Sequence, residues 1–249
     1  MKVYRILIVI TIVLFSICVC GLITLSVLPE PLPQTTTNPD RPTVNPDVDV
    51  ELPLTEDAGE EYIDKIFFVG DSTTYHFFKG GVDKSHLLVP PEERTLWLQS
   101  DILDIIVTED GLTITEALKN ANAEIVIITL GVNGAADYSK LEYTTYYKKL
   151  INGIKQESPD TVIILQSVFP VTKEYSDNNR ITNSIIDKIN SWVREIASDC
   201  GIKYLDTQSI LKDAQGAQKT EYGENDGIHM NSSAYIAILE YIRTHSIYE

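Results

Sequence analysis

From about residue 61 onwards, short apolar runs alternate with longer amphipathic segments, and this alternation limits the possible folds more than any other feature. The clearest run is "AEIVIITLG" at 123–131, which is rich in β-branched residues and lacks the polar alternation of a half-exposed strand. Strands that alternate with helices predict a parallel sheet with helices on both faces. We therefore expect an α/β fold, a three-layer sandwich around a central parallel five-stranded sheet.

The apolar runs and helical patterns can be placed along the chain. Strands are expected at 65–69, 101–107, 123–131, 161–168 and 202–206. Helices are expected at 114–121, 141–156, 178–200 and 233–245. Thr113 and Glu116 have the spacing of a capping box at the start of the first helix, and Gly201 is a suitable end for the third. The irregular stretch 77–99 is expected to form a loop that borders the site.

The N-terminus has the composition of a membrane anchor. Residues 6–28 run for 23 positions without a charge, which is long enough to span a bilayer. Lys2 and Arg5 precede this run and acidic residues follow it, so the bulk of the chain is expected outside the cytoplasm. No small-x-small cleavage site precedes Pro29, which favours an uncleaved anchor over a signal peptide. We therefore predict an anchor over residues 1–28 of a single-pass membrane protein.

Composition separates the rest of the chain into two parts. Residues 29–60 are rich in Pro, Thr, Asp and Glu, which is typical of an extended spacer, and residues 61–249 form the predicted domain. The formal net charge of −16 makes a nucleic-acid partner unexpected. Cys18 and Cys20 lie in the apolar N-terminus and Cys200 lies alone beyond it, so the domain can form no internal disulfide.

Polar residues suited to acyl chemistry follow the predicted strands. The first strand ends in Gly70-Asp71-Ser72, the third is followed by "GVNG" with Asn133, and "ENDGIHMNSSAY" with Asp226 and His229 precedes the last helix. Ligand sites of open α/β sheets lie at the carboxyl ends of the strands. The three segments are therefore expected to converge on one site.

The residue types fit nucleophilic catalysis. A serine hydroxyl needs a base to remove its proton, and histidine serves because its pKa lies near neutrality. Asp226 could hold the Nδ1 of His229 and leave Nε2 free for Ser72. The Ser72 N–H and the Asn133 amide could stabilise an oxyanion. Each residue also has a simpler interpretation, namely a helix N-cap for Ser72, a surface histidine for His229, and turn residues for Asp226 and Asn133.

With its ordered Ser, Asn and Asp-x-x-His segments, the sequence resembles the SGNH hydrolases, or GDSL esterase/lipase family. "GDS" and "DGIH" match the family's first and last blocks, while Gly134 stands where the third block usually has aspartate. The resemblance would cover residues 62 to about 245. It also implies a second-block glycine that donates to the oxyanion, for which Gly111 is the best candidate, with Gly80 and Gly81 as rivals.

Four further residues are candidates for the substrate pocket: Asp71, His76, Val132 and Phe169. His76 also competes as a base because it lies one helical turn after Ser72, and Phe169 has an equally good interpretation as a packing residue. No group of His, Cys and Asp has metal-ligand spacing, so neither a metal nor another cofactor is expected.

The expected function is that of a membrane-anchored, extracytoplasmic serine esterase acting on short acyl esters. The resemblance and the anchor together suggest O-acetyl esters on cell-envelope or extracellular carbohydrate. Two alternatives stay open: an O-acyltransferase of cell-wall glycans that uses the same triad, and a catalytically silent glycan-binding module.

Overall fold

A computed structural model describes residues 50–92 and 94–248. Its centre is a five-stranded sheet in the order β2-β1-β3-β4-β5, in which every neighbouring pair is parallel. The strands are β1 (Ile66–Gly70), β2 (Leu87–Leu88), β3 (Ile125–Thr129), β4 (Val162–Gln166) and β5 (Lys203–Leu205). The predicted five-stranded parallel sheet is therefore confirmed.

Helices and 3-10 turns connect these strands. The α-helices are α1 (Glu60–Ile63), α2 (Ser72–Tyr75), α3 (Ile114–Ala121), α4 (Lys140–Glu157), α5 (Lys173–Asn178), α6 (Asn183–Cys200), α7 (Gln208–Leu211) and α8 (Ser232–Arg243). The 3-10 helices are His76–Gly80, Lys84–His86, Ile102–Asp104 and Thr220–Tyr222. Thr113 and Glu116 form the predicted capping box of α3. Gly201 ends α6 in the left-handed conformation, at φ 62°.

The sheet is buried on both faces, as the apolar run of β3 predicts. Val126 and Ile128 belong to a core cluster with residues of α3, α4 and α6 on one side. Ile125 and Ile127 belong to a second cluster with residues of α1, α7 and α8 on the other. All five residues of β3 are buried, so the strand fills the middle layer of a three-layer sandwich.

The prediction of a strand at 101–107 is wrong. Residues Ile102–Asp104 form a 3-10 helix, and Ile106 makes only an isolated antiparallel bridge to Thr113. The edge strand β2, Leu87–Leu88, pairs with β1 instead. Ile102 and Val107 are buried, and so are Leu87 and Leu88 of β2, so both segments contribute apolar side chains to the core. Hydrophobicity alone therefore cannot distinguish them.

The helix predicted at 178–200 begins five residues later, at Asn183, and ends as predicted at Cys200. Helix α5 ends at Asn178, and α6 begins after Thr182, whose hydroxyl accepts a hydrogen bond from the Ile185 N–H. The Asn183 side chain bonds both the N–H and the carbonyl of Val171, which fixes the start of α6 to the segment after β4.

The domain begins before residue 61. The Leu52 N–H donates to the Tyr204 carbonyl at 2.9 Å, and the Tyr204 N–H donates to the Val50 carbonyl at 2.9 Å. Glu51 forms a parallel bridge to Tyr204 and an ion pair with Arg194. The predicted spacer is therefore too long at its C-terminal end, because residues from Val50 onwards lie along the outer edge of β5.

A leucine pair tests whether this segment belongs to the domain. Leu52→Ala should lower the free energy of unfolding by about 2–3 kcal/mol, because Leu52 is 4% exposed and packs in the second core cluster. Leu54→Ala is the matched control, because Leu54 is 76% exposed and should change stability by less than about 0.5 kcal/mol. Urea unfolding measures both variants. Equally small effects would mean that the segment is a free spacer.

The predicted transmembrane span at 6–28 lies outside the described residues. Over residues 50–92 and 94–248, none of the helices has the length and hydrophobicity needed to cross a bilayer.

Candidate active site

The candidate nucleophile stands where β1 ends and α2 begins. Gly70 is the last residue of β1, Asp71 is the N-cap, and Ser72 is the first residue of α2. The Asp71 carboxylate accepts a hydrogen bond from the Thr73 N–H at 3.0 Å and one from the Thr73 hydroxyl at 2.8 Å. The N–H of a first helical residue has no acceptor within its own helix, so the Ser72 N–H can bind an anion.

Three side chains form a continuous hydrogen-bond chain. His229 Nε2 lies 2.8 Å from Ser72 Oγ, and His229 Nδ1 lies 2.7 Å from Asp226 Oδ2. The carboxylate can only accept, so Nδ1 carries the proton and Nε2 accepts from the serine hydroxyl. This geometry brings together the three residues that the sequence predicts as a triad.

The loop before α8 fixes the acid and the base. Asp226 Oδ1 also accepts hydrogen bonds from the backbone N–H groups of Ile228 at 2.9 Å and His229 at 2.8 Å. The structure therefore shows the contacts of the turn interpretation, and the same carboxylate also contacts the imidazole. Lys79 also binds this loop. It donates to the Met230 carbonyl and forms an ion pair with Glu224 at 3.0 Å.

The carboxyl of Asp226 stays ionised at neutral pH. Burial alone would raise its pKa, but the hydrogen bonds from the His229 side chain and from the loop backbone outweigh burial and lower it. An ionised Asp226 could stabilise a positive charge on the imidazole of His229.

Asn133 follows β3, the strand beside β1, as predicted for an oxyanion donor. Gly70 of β1 pairs with Thr129 of β3, so the segments after the two strands leave the sheet at the same edge. Asn133 is partly exposed, and none of the hydrogen bonds found within 50–92 and 94–248 involves its side chain. Its amide is therefore available to a ligand.

Trp97 explains why glycine replaces the family's usual aspartate after Asn133. Gly134 has φ +73°, and a Cβ there would lie 2.7 Å from the Trp97 ring. A side chain at position 134 would therefore require the Trp97 ring to shift. Leu98, the next residue, donates its N–H to the Tyr138 hydroxyl at 3.0 Å, which holds the loop in place. The stretch 77–99 thus reaches the segment that carries Asn133.

The geometry gives no support to Gly111 as an oxyanion donor. Its N–H donates to the Thr108 carbonyl at 3.2 Å within a turn, so that donor is already occupied. The assignment assumed that Gly111 follows a strand, and 101–107 is not one. Gly81, a rival, likewise donates to Phe78 at 3.1 Å, and Gly80, the other rival, is the last residue of the 3-10 helix His76–Gly80. A backbone donor from the second block therefore stays unidentified.

Three of the four pocket candidates belong to the interior. Asp71, Val132 and Phe169 are 1%, 5% and 3% exposed. Phe169 packs in the second core cluster with Phe77, at 6.3 Å between ring centroids, which is the packing interpretation. These three side chains lie in the interior, and their burial does not support contact with a substrate.

Asp71 carries an unusual carboxyl. Burial raises its pKa to about 6, although the hydrogen bonds from Thr73 and the charge of His229 act in the opposite direction. Folding therefore disfavours its ionised form relative to the unfolded chain.

Asp71→Asn should become more stable, relative to wild type, as the pH rises from about 4 to about 7. The folded pKa of about 6 exceeds the ordinary value of 3.8, so the unfolded chain ionises first and wild-type stability falls through this window. The full difference amounts to roughly 3 kcal/mol. Urea unfolding of both proteins at several pH values measures it, and a difference that does not change with pH would contradict the expected burial of charge. Asparagine retains the N-cap acceptor.

His76 contacts the candidate base instead of replacing it. Its ring meets that of His229 edge to face, with centroids 4.9 Å apart. Burial, followed by the charges of Lys79 and His229, lowers the pKa of His76 to about 4, so it is neutral at neutral pH. A neutral ring in this position adds no repulsion when His229 becomes charged.

Tyr235 is a residue near the site that the sequence analysis missed. Its buried hydroxyl donates to the Thr73 carbonyl at 2.7 Å, which ties α8 to the helix of the nucleophile. Its only sequence signal is the apolar face of the last helix, which does not distinguish a core tyrosine from one that positions a catalytic element.

Within the described part of the chain, no group of three or more His, Cys, Asp or Glu could hold a metal ion. The expectation of chemistry without a metal or other cofactor stays a prediction.

A serine, a histidine and a carboxylate hydrogen-bonded in series at the carboxyl edge of a parallel sheet are typical of serine hydrolases that form an acyl-enzyme. Residues 68–237 match the profile of the GDSL-like lipase/acylhydrolase family, which is more than half of the chain. The chain therefore belongs to this family, and it is an SGNH-type acylhydrolase.

Solved structures share the fold at low sequence identity. A GDSL-like lipase of Bacteroides thetaiotaomicron is 18% identical, with a TM-score of 0.52 over 74% of this chain and 87% of that one. A protein of Bacteroides fragilis described as an acylhydrolase is also 18% identical, with a TM-score of 0.51 over 76% and 87% of the two chains.

One curated relative aligns over part of the domain. The N-acylneuraminate cytidylyltransferase of Escherichia coli O18:K1:H7 is 32% identical over 117 residues, which are 46% of this chain and 26% of that protein. The chain thus spans about a quarter of the length of this relative.

Proposed function

We propose that the protein is a serine esterase that hydrolyses short acyl esters, foremost O-acetyl esters, on carbohydrate. The observation that carries this proposal is the unbroken hydrogen-bond chain from Asp226 through His229 to Ser72, with links of 2.7 and 2.8 Å. Those distances fall within the range in which a base can remove the proton of a nucleophile.

The reaction would proceed through an acyl-enzyme. Ser72 Oγ attacks the ester carbonyl carbon while its proton passes to His229 Nε2, and Asp226 stabilises the resulting imidazolium. The tetrahedral intermediate collapses when the alkoxide of the sugar leaves and takes that proton. Water then gives a proton to His229 and attacks the acyl carbonyl, which releases acetate and restores the Ser72 hydroxyl.

Two donors would stabilise the oxyanion. The Ser72 N–H lies at the start of α2, and the Asn133 amide has no hydrogen-bond partner within the described residues. Fixed donors of this kind stabilise developing charge more strongly in the transition state than in the bound ester.

Trp97 supports a carbohydrate as the alcohol part of the ester. Its indole is 42% exposed while it contacts Gly134, next to Asn133. A flat, partly exposed aromatic ring beside a site offers an apolar surface to a sugar ring. The E. coli relative is named for an N-acylneuraminate, an acylated sugar, which agrees with this substrate class.

The predicted location of the domain favours one group of carbohydrate substrates. If the predicted anchor at 6–28 spans the membrane, the domain lies outside the cytoplasm, within reach of envelope or extracellular polysaccharide. O-acetyl groups on such polymers are therefore the proposed natural substrates.

The test is to incubate the full chain, in a non-ionic detergent, with p-nitrophenyl acetate and with an O-acetylated oligosaccharide, and to measure p-nitrophenol and acetate. Hydrolysis of both supports the esterase. Transfer of acetyl to an added unacetylated oligosaccharide, with little free acetate, would make the protein an O-acyltransferase. Lack of any turnover, with Ser72 unreactive to a fluorophosphonate, would favour the silent glycan-binding module.

A further inference from the structure

A pocket of about 480 Å³ lies beside the nucleophile helix. Its lining includes Tyr75, the last residue of α2, together with Lys84 and Arg94. Tyr75 follows Ser72 by three residues, which is about 4.5 Å along a helix axis. The pocket therefore has one lining residue on the same short helix as Ser72.

Two cations converge on the Tyr75 ring. The Arg94 guanidinium carbon lies 3.4 Å from its centroid, and Lys84 Nζ lies 5.7 Å from it and 4.7 Å from the centroid of Phe78. Aromatic faces attract cations, so the ring positions both groups at the pocket. Both positive charges attract an anion to this part of the pocket lining.

Neither cation has a carboxylate partner among the described residues. The chain has 36 acidic and 20 basic residues, and most of the described lysines and arginines form ion pairs. Glu109 and Asp110 line the same pocket but form no ion pair with Lys84 or Arg94. Within the described residues, Lys84 and Arg94 thus have no acidic partner that an anionic ligand would have to displace.

The backbone of Arg94 is in an uncommon conformation. Its φ is 52°, in the left-handed region that residues other than glycine rarely adopt, and its N–H donates to the Pro90 carbonyl at 3.1 Å. Unfavourable backbone conformations of this kind concentrate at functional sites. This turn places the guanidinium over Tyr75, and its backbone conformation lowers the stability of the fold. A conformation kept despite that cost agrees with a role in binding.

We propose that Lys84, Arg94 and Tyr75 form a subsite for an anionic group of the substrate, a carboxylate or a phosphate, on the sugar whose ester is cleaved at Ser72. The inference deepens the proposed function and rests on it. Arginine offers a planar pair of donors to either anion and lysine a point charge.

The test compares charged and neutral substrates on the full chain. Three O-acetylated sugars are used: a uronic acid, a sugar phosphate and the neutral parent sugar. The variants are Lys84→Gln, Arg94→Asn and the double variant, and asparagine is chosen because it tolerates positive φ. Lys188→Gln is the matched control, because Lys188 also lies over an aromatic ring, Trp192 at 5.1 Å, without an ion pair among the described residues.

For wild type we expect kcat/KM to be higher for one of the charged substrates than for the neutral one. The double variant should lower the charged-to-neutral ratio by about 30-fold, mostly through KM, because charge-assisted contacts are lost. Lys188→Gln should leave the ratio unchanged. The uronic acid and the phosphate distinguish the two anions. A ratio that is the same in wild type and double variant would overturn the subsite.

A binding measurement separates this inference from the proposed esterase. If wild type turns over none of the esters, the proposed function fails, and calorimetric titration with a uronic acid and a sugar phosphate tests the subsite alone. Binding that the double variant loses would support the subsite. Lack of binding to wild type, or equal binding to the double variant, would overturn it.

Discussion

Ser72→Ala should reduce hydrolysis of p-nitrophenyl acetate by at least about 10³-fold, because the variant has no hydroxyl to form the acyl-enzyme. KM should change little, since the serine contributes mainly to the transition state. His229→Ala should have a similar effect, and the double variant should be no worse than either single one, because residues that act as a unit are not additive. Steady-state rates of the full chain measure these effects.

Ser191→Ala is the control for the serine substitution. Ser191 is exposed on α6, where its hydroxyl donates to the Lys188 carbonyl at 2.6 Å, so its loss should leave the rate unchanged. Activity that survives in Ser72→Ala, with the fold intact by urea unfolding, would show that another group is the nucleophile. Fluorophosphonate labelling of wild type, but not of Ser72→Ala, gives an independent reading.

Asn133→Ala should lower kcat by about 10²- to 10³-fold, the usual effect of removing one oxyanion donor. The free energy of unfolding should change by less than about 1 kcal/mol, because the side chain has no hydrogen-bond partner among the described residues. Asn133→Asp should be at least as slow, since a carboxylate cannot donate and would repel the oxyanion.

Asn178→Ala serves as the asparagine control. That residue is exposed at the end of α5, and its amide donates to the Glu174 carbonyl at 2.8 Å. A kcat of Asn133→Ala within threefold of wild type would remove Asn133 from the oxyanion site and leave the Ser72 N–H as the only named donor.

The sequence predicts those parts of the fold that depend on interactions between neighbouring residues. The capping box of Thr113 and Glu116, the left-handed Gly201 and the doubly buried run of β3 each depend on a few neighbouring residues. The Asp226 and His229 pair is equally local, because three residues of chain allow both the turn and the side-chain contact.

Non-local pairing determines the parts that the sequence does not predict. Strand β2 has only two residues, Leu87–Leu88, and it is a strand because it pairs with β1. The segment from Val50 lies on β5 although its composition resembles a spacer. The assignment of Gly111 as an oxyanion donor lacks support for the same reason. It depended on a strand at 101–107, whereas the strand that pairs with β1 is Leu87–Leu88.

The contact between Trp97 and Gly134 couples two positions that are far apart in the sequence, because the residue at one restricts the residues allowed at the other. An aspartate at 134 would need the volume that the indole occupies, so an aspartate there requires the indole to shift or to be replaced. Relatives with aspartate at this position should therefore lack the aromatic ring, and those with the ring should have glycine. Covariation between these two positions would mark a subgroup in which an aromatic ring stands beside the candidate oxyanion residue in place of a carboxylate.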